Sequence, residues 1–293
     1  MSQVPLIGSF WTLAPGTAPT GPDYCGVDIK SRIEAAAKAG YRGLGFWHTD
    51  MAHFTKTTGL SEVRTMLDAN GIEFVEVEWL NEWFRTDERR AESDKWRALL
   101  FDAAEKLNAR HIKIADLDNH DVDVEQMTPA FAELCAQAAD HGTKIVFEML
   151  PKQFSSLPSL DLVLKLIKDA GQPNGGLILD NLHVERIGKG YAEIAEKIDL
   201  DEVVLAVEIN DGFYGTPLKF EDTVINRRLL PGDGEFDIEG FLHAVWDTGY
   251  DGPIGVEVIN EYLRYWSAET LAEVSYSKSA EVVNAARASW QGA

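Results

Sequence analysis

Four short apolar runs each deliver an acid at or near their C-terminal end: Val146-Phe147-Glu148, Leu177-Ile178-Leu179-Asp180, Leu205-Ala206-Val207-Glu208 and Ile254-Gly255-Val256-Glu257. Carboxylates converging on buried strands repel one another and stay protonated unless a cation sits among them, so the pattern points to a metal site. An oxygen-only set of hard ligands, Glu148, Asp180, Glu208 and Glu257, favours Mg²⁺ or Mn²⁺, with Co²⁺ compatible, over a cysteine- or histidine-bound zinc. His183 follows Asp180 by three residues, which can bring an imidazole beside the acids as a hydrogen-bond donor to a ligand or as a substrate contact. A divalent ion bridging a carbonyl and its neighbouring hydroxyl acidifies the α-C–H, and a carboxylate beside it can take the proton to leave an enediolate. Returning the proton to the opposite face gives an epimer, and returning it to the neighbouring carbon gives an isomer. Loss of a β-oxygen substituent gives elimination.

Strand-like segments alternate with amphipathic helical patterns along the chain, the signature of a parallel sheet built from βα units. The strand candidates are residues 6–12, 42–47, 73–79, 111–115, 144–148, 177–180, 203–208 and 254–258. Helical patterns such as 27–39 and 60–69 lie between them, and Gly40, Gly71, Gly171 and Gly249 each stand where a helix should end. Eight strands interleaved with about eight helices suit an α/β fold of the (β/α)8 TIM-barrel type better than an open, doubly wound sheet. At 293 residues, one such barrel fills the chain, so residues 1–293 are read as a single domain closing with a helix at about 268–290.

Barrel chemistry sits at the C-terminal ends of the strands, and these ends are polar. They include Trp47-His48-Thr49-Asp50, Glu76-Val77-Glu78-Trp79, and Lys113 with Asp116. Alternation places Glu76 and Glu78 on one side of their strand without saying which. His48 and Lys113 are candidate substrate contacts, and Arg227 or Arg228, in the turn-rich segment 226–234, could hold a substrate oxygen anion. Trp11, Phe46, Trp47, Trp79, Trp83 and Phe84 fall at or just beyond strand ends one to three. Trp11 and Trp47 lead a surface suited to a sugar face or an aromatic aglycone, although barrel-to-helix packing accounts for part of this set.

The net charge of -21 opposes binding to a phosphate backbone, so nucleic acid is not an expected partner. No apolar run reaches the ~18 residues of a membrane span, and the first residues lack the pattern of a secretory leader. A cytoplasmic protein is expected. Cys25 and Cys135 have no metal-type spacing and read as free thiols. With no glycine-rich phosphate loop and no basic cluster, an unphosphorylated substrate is favoured.

Taken together, Glu148, the Asp180-x-x-His183 pair, Glu208-Ile209-Asn210-Asp211, the 228–234 segment and Gly252-Pro253-Ile254-Gly255-Val256-Glu257 resemble the xylose isomerase-like TIM-barrel superfamily over nearly the whole chain. The resemblance implies a single divalent metal, with the residues matching Glu148 and Glu257 also moving protons on opposite faces of a sugar, and those matching His183 and Arg228 touching it. Many relatives have histidine or glutamine where this chain has Glu208. Either a fourth carboxylate makes the site more anionic, or Glu208 turns away and water takes its place. One extra leucine in the arginine-to-glycine spacing leaves both Arg227 and Arg228 as candidates. The implied function is isomerisation or epimerisation of a keto sugar or related polyol. The alternatives are a lyase on a keto-sugar, 3-keto-glycoside or cyclic polyol derivative, and a non-catalytic or partner-dependent sugar-binding barrel. The fold is also that of endonuclease IV, but seven histidines, mostly away from the strand ends, do not supply its multi-zinc site. Relatives often form dimers or tetramers, which implies a homodimer or homotetramer using helical segment 86–108 and the C-terminal helix.

Overall fold

The computed structural model describes residues 3–117, 122–188, 190–198 and 203–292. Its strands are β1 (Leu6–Gly8), β2 (Gly43–Trp47), β3 (Phe74–Leu80), β4 (His111–Ile114), β5 (Lys144–Glu148), β6 (Gly175–Asp180), β7 (Val204–Ile209) and β8 (Ile254–Val256). They run parallel in chain order around a closed barrel, with β8 pairing back onto β1. Helices cover the outside, which is why β6 is buried along its whole length and reads as an unbroken apolar run up to its terminal acid.

The helices begin and end where local chemistry dictates. Asp28, Asp123, Ser159, Asp237 and Ser267 each accept a hydrogen bond from the backbone N–H three residues on, at the starts of Ile29–Ala39, Val124–Asp140, Leu160–Ala170, Ile238–Asp247 and Ala268–Ser289. Each such cap contributes about 1 kcal/mol. Gly40 closes the first of these helices with φ of 119°, and a Cβ there would also run into the Tyr276 ring. Ala268–Ser289 seals the seam between the last and first βα units, with the Tyr41 and Ser275 hydroxyls 2.8 Å apart.

Two strands are shorter than the sequence suggests. The expected strand 6–12 ends at Gly8, and residues Phe10–Leu13 turn into one helical turn. A short apolar run does not distinguish strand from helix, and here tertiary contacts decide. The expected 254–258 stops at Val256 too: on the β7 side Glu257 N still donates to Ile209 O at 3.1 Å, but on the other side β1 has ended. The Thr12 hydroxyl replaces the missing ladder, donating to Val256 O at 2.7 Å and accepting from Val258 N at 2.7 Å.

Inside the barrel, Val146, Ile178 and Ala206 form a small apolar cluster on β5 to β7. Glu148, Asp180 and Glu208 stand two residues further along the same strands, hence on the same inward face. The corresponding residue of β8 is Gly255, where a Cβ would lie 2.7 Å from Glu208 Cγ, so a glycine is needed for the Glu208 side chain to cross. No helix among the described residues is long and apolar enough to cross a membrane. Cys25 and Cys135 are buried free thiols.

Candidate functional site

The four strand-end acids converge. The nearest ligand atoms of Glu148, Asp180, Glu208 and Glu257 all lie within 4.8 Å of one another, and those of Glu148, Asp180 and His183 do likewise. Each member is held by local structure. Asp180 ends β6 and caps Asn181–Ile187, its Oδ1 accepting from Leu182 N at 2.8 Å and from Asn210 Nδ2 at 2.9 Å. Asn181 and Asn210 exchange two 2.9 Å hydrogen bonds, which lock β6 to the end of β7. His183 lies in the first turn of that helix, with Nε2 3.4 Å from Glu148 Oε1 and 3.8 Å from Asp180 Oδ2.

Two permanent cations share this space. Lys113, rising from β4, places Nζ 2.8 Å from both oxygens of Glu208, 3.0 Å from Glu257 Oε1 and 3.0 Å from Glu78 Oε2. Arg228 places Nη1 2.8 Å from Asp180 Oδ2 and 2.7 Å from Glu257 Oε2, while its Nε donates to Val224 O. Arg228 is seated by the loop around it. Asp211 gathers the backbone N–H groups of Gly212, Gly232, Gly234 and Phe236, folding this segment back against the barrel. Arg227 points the other way, pairing with Glu261 and donating to Tyr262 Oη at the outer rim.

Five buried carboxylates, those of Glu78, Glu148, Asp180, Glu208 and Glu257, therefore face Lys113 and Arg228. Burial pushes Glu78 up to about 7 against the pull of Lys113, and raises Asp180 against Arg228. Burial and then Glu257 drive Glu208 well above the usual carboxylate range. Burial also works against Glu257, yet Lys113 and Arg228 hold it down at about 2. The Lys113 ammonium stays charged despite burial because Glu208, Glu257 and Glu78 surround it. This excess of acid holds protons that a divalent cation would displace. Glu148 Oε1 is buried and accepts no hydrogen bond, which leaves a free lone pair at the centre of the cluster. Hard oxygen donors at close range, surplus negative charge and an unsatisfied carboxylate oxygen together fit a divalent metal ion.

A cavity of about 380 Å³ opens above the cluster. Glu78, Glu148, His183, Arg228 and Glu257 form its polar floor, and Trp11, Trp47, His48, Trp79 and Phe154 are among its walls. His48 Nδ1 accepts from Trp79 N at 3.2 Å, and burial lowers the imidazole to about 4, so it is neutral at physiological pH. The structure thus brings Trp11, Trp47, His48, Glu148, His183, Arg228 and Glu257 to one cavity. Asp180, Glu208 and Lys113 stand behind the floor rather than lining it. Lys113, expected as a substrate contact, is instead enclosed by carboxylates, 2 % exposed, because the acids of β3, β7 and β8 close over it. Arg227 does not reach the cavity. Phe46, Trp83 and Phe84 are packing residues of the core. The sequence reading did not select Glu78, or Asn210 as the support of Asp180. The signal for Glu78 was its in-step spacing with Glu76, which needed only the direction of the inward face.

A model of the xylose isomerase-like TIM barrel family matches residues 33–283. The chain is 26% identical over 245 residues to the 3-dehydroshikimate dehydratase of Pseudomonas aeruginosa, covering 80% of this chain and 37% of that protein. It is 25% identical over 153 residues to the inosose isomerase of Halalkalibacterium halodurans, covering 52% of each. These alignments thus span between about a third and a half of the length of the curated relatives they match. A solved structure of the IolI protein with a bound zinc atom superposes with a TM-score of 0.78 at 18% identity, over 96% of this chain and 98% of that one, a likeness of fold. These relatives are enzymes or share the barrel alone, and with 251 consecutive residues matched by the family model, the chain belongs to the xylose isomerase-like TIM barrel family.

Proposed function

We propose that this protein is a divalent-metal-dependent isomerase or epimerase that moves a proton α to the carbonyl of a keto sugar or related polyol. The observation that carries the reading is the pairing of Glu148 and Glu257, carboxylates from β5 and the end of β8 that face one cavity over a cluster fitted to a metal ion. Glu148, Asp180 and Glu257, with Glu208 or His183, would hold the ion, Mn²⁺ or Mg²⁺ by donor type, which supplies Lewis acidity to a substrate carbonyl. Glu148, with an oxygen free of hydrogen bonds, is placed to accept the proton. Glu257, kept ionised by Lys113 and Arg228, would be the second proton carrier on its own side of the cavity, its basicity restrained by the same two cations. Glu78, raised to about 7 and lining the same floor, can carry a proton at neutral pH. His183 Nε2 stands 3.4 Å from Glu148 Oε1, beside the oxygen that would take the proton.

A lyase using the same floor is the second reading, favoured by the dehydratase relative that aligns over 80% of this chain. One experiment separates them. The purified protein is assayed for bound metal, stripped, reloaded with Mn²⁺ and incubated with keto sugars in deuterated water. Deuterium uptake at the α-carbon without loss of mass is the expected result, whereas exchange with loss of water or of a substituent would establish the lyase. Absence of both metal uptake and exchange would sink the proposal.

A further inference from the structure

The cavity has two chemically distinct halves. Its floor carries the ionised groups, while its walls are built from Trp11, Trp47, Trp79, Phe154, Leu150 and Ile259. Trp47 is the hub of this wall, its ring centroid 4.8 Å from Trp11 and 6.2 Å from Trp79, the latter in a stacked arrangement at 23°. Phe10 backs the same ring from the core at 6.4 Å and 21°. All three indoles keep part of their surface open rather than being consumed by packing, unlike Trp83, which is fully buried.

A free sugar is polar around its whole edge. Each hydroxyl taken out of water without a partner costs about 1–3 kcal/mol, and indole faces and aliphatic walls supply few partners. A free monosaccharide seated on the floor can lay one C–H face on one indole, but it leaves the rest of the three-indole wall uncovered. A phosphorylated sugar suits neither, since the floor is over-acidic, Arg228 is committed to Asp180 and Glu257, and Arg227 is paired with Glu261 outside the cavity. A sugar joined to a flat apolar group satisfies both halves, with its ring over the carboxylates and the planar group against the indoles, in a space within the range of about 300–1,000 Å³ usual for ligands of that size.

We infer that the Trp11–Trp47–Trp79 wall is a subsite for an aromatic substituent, and that the substrate class is an aryl-substituted keto sugar, an aryl glycoside that carries its ketone on a ring carbon, rather than a free or phosphorylated sugar. This rests on reading the floor as a sugar-handling site. The test is calorimetric titration of the Mn²⁺-supplemented protein with phenyl β-D-glucopyranoside and methyl β-D-glucopyranoside, on the wild type and on Trp79→Leu and Trp47→Leu. The phenyl compound should bind at least ten-fold more tightly, and either substitution should remove most of that preference while changing methyl glycoside binding less than three-fold. Circular dichroism and Mn²⁺ uptake verify that the variants fold. Equal affinities, no binding of the phenyl compound, or an equal loss for both compounds in folded variants overturns the inference. Proton exchange on free keto sugars without aryl preference would sink this inference alone, and aryl preference without exchange would sink only the proposed reaction.

Discussion

Two polar clusters lie buried in the same barrel, on the same two strands, two residues apart. The lower one joins Glu76 of β3 to Arg110 at 3.2 Å and to His111 of β4 at 3.6 Å, with Arg110 also donating to Leu205 O. The upper one joins Glu78 and Lys113 of these strands to Glu148, Asp180, Glu208, Glu257 and Arg228. The lower cluster is nearly balanced. Burial raises Glu76 against the pull of Arg110 and lowers His111 well below its ordinary range, so one acid meets one cation and a neutral imidazole. The upper cluster is over-acidic and opens onto the cavity. Buried charge alone does not mark a functional site; uncompensated charge facing a space does.

The strongest way to break this contrast is to remove carboxylates from the upper cluster. Under the proposed roles, Glu148→Gln or Glu257→Gln should lower turnover by about 10³-fold, since each would lose a proton carrier and a metal donor together. Thermal stability should hold or rise for Glu148→Gln, where one surplus acid disappears, and should fall for Glu257→Gln, which takes a charged partner from both Lys113 and Arg228. Retention of most activity with metal bound would refute the assigned roles. The lower cluster should behave in the opposite sense. Arg110→Ala strands Glu76 in the barrel and should cost about 2–3 kcal/mol of unfolding free energy, somewhat below the figure for a fully enclosed pair because Arg110 is 25% exposed. Metal uptake should be unchanged, and a loss of metal on Arg110→Ala would show that the two clusters act as one.

The unequal legibility of the two clusters has a physical cause. The strand count, the chain-order barrel and the acids at the ends of β5 to β8 were readable because alternation and strand-end position are local properties of sequence. The distribution of cations was not. Lys113 meets Glu208 and Glu257 across 95 and 144 residues, and no local pattern encodes which acid an ammonium will choose. The same holds for the aromatic set, where neighbouring positions diverge: Phe46 points into the core while Trp47 lines the cavity. The ends of β1 and β8 were misread because one threonine side chain, Thr12, takes over the pairing.

The buried acids and the buried imidazoles should respond oppositely to pH. Glu78 has its folded value near 7 against 4.5 unfolded, so the fold binds the extra proton and stability falls as pH rises through that window. His48 has its folded value near 4 against 6.5, and His111 shifts the same way, so the unfolded chain binds the extra protons and stability falls as pH drops below 6.5. Each proton amounts to at most ~1.4 kcal/mol per pH unit. In the metal-free protein these slopes oppose each other. Mn²⁺ bound among these acids would displace the carboxyl protons, so its stabilisation, ~2.7 kcal/mol at a hundred times its Kd, should grow with pH and leave the loaded protein more acid-labile than the free one. Denaturation midpoints at pH 5, 6 and 7 with and without Mn²⁺ measure this, and parallel pH profiles for the two forms would contradict it.

Glu208 tests the contrast at its finest grain, because it belongs to the upper cluster by position but resembles the lower one in being matched to a cation. Both its oxygens accept from Lys113 at 2.8 Å, and it does not line the cavity, whereas Glu148 keeps an oxygen free. If its work is to hold Lys113, then Glu208→Gln leaves the ammonium two other carboxylates, Glu257 and Glu78, and removes only an acid whose ionisation burial and Glu257 already oppose. Mn²⁺ affinity should then change by less than ten-fold, ~1.4 kcal/mol, and the visible absorption of the Co²⁺-loaded protein should keep its shape. A four-carboxylate ligand set requires instead that Glu208→Gln weaken the ion as severely as Glu148→Gln and alter the Co²⁺ spectrum. Titrating both variants side by side decides whether excess acid here means an additional ligand or an internal ion pair beside a site of three carboxylates.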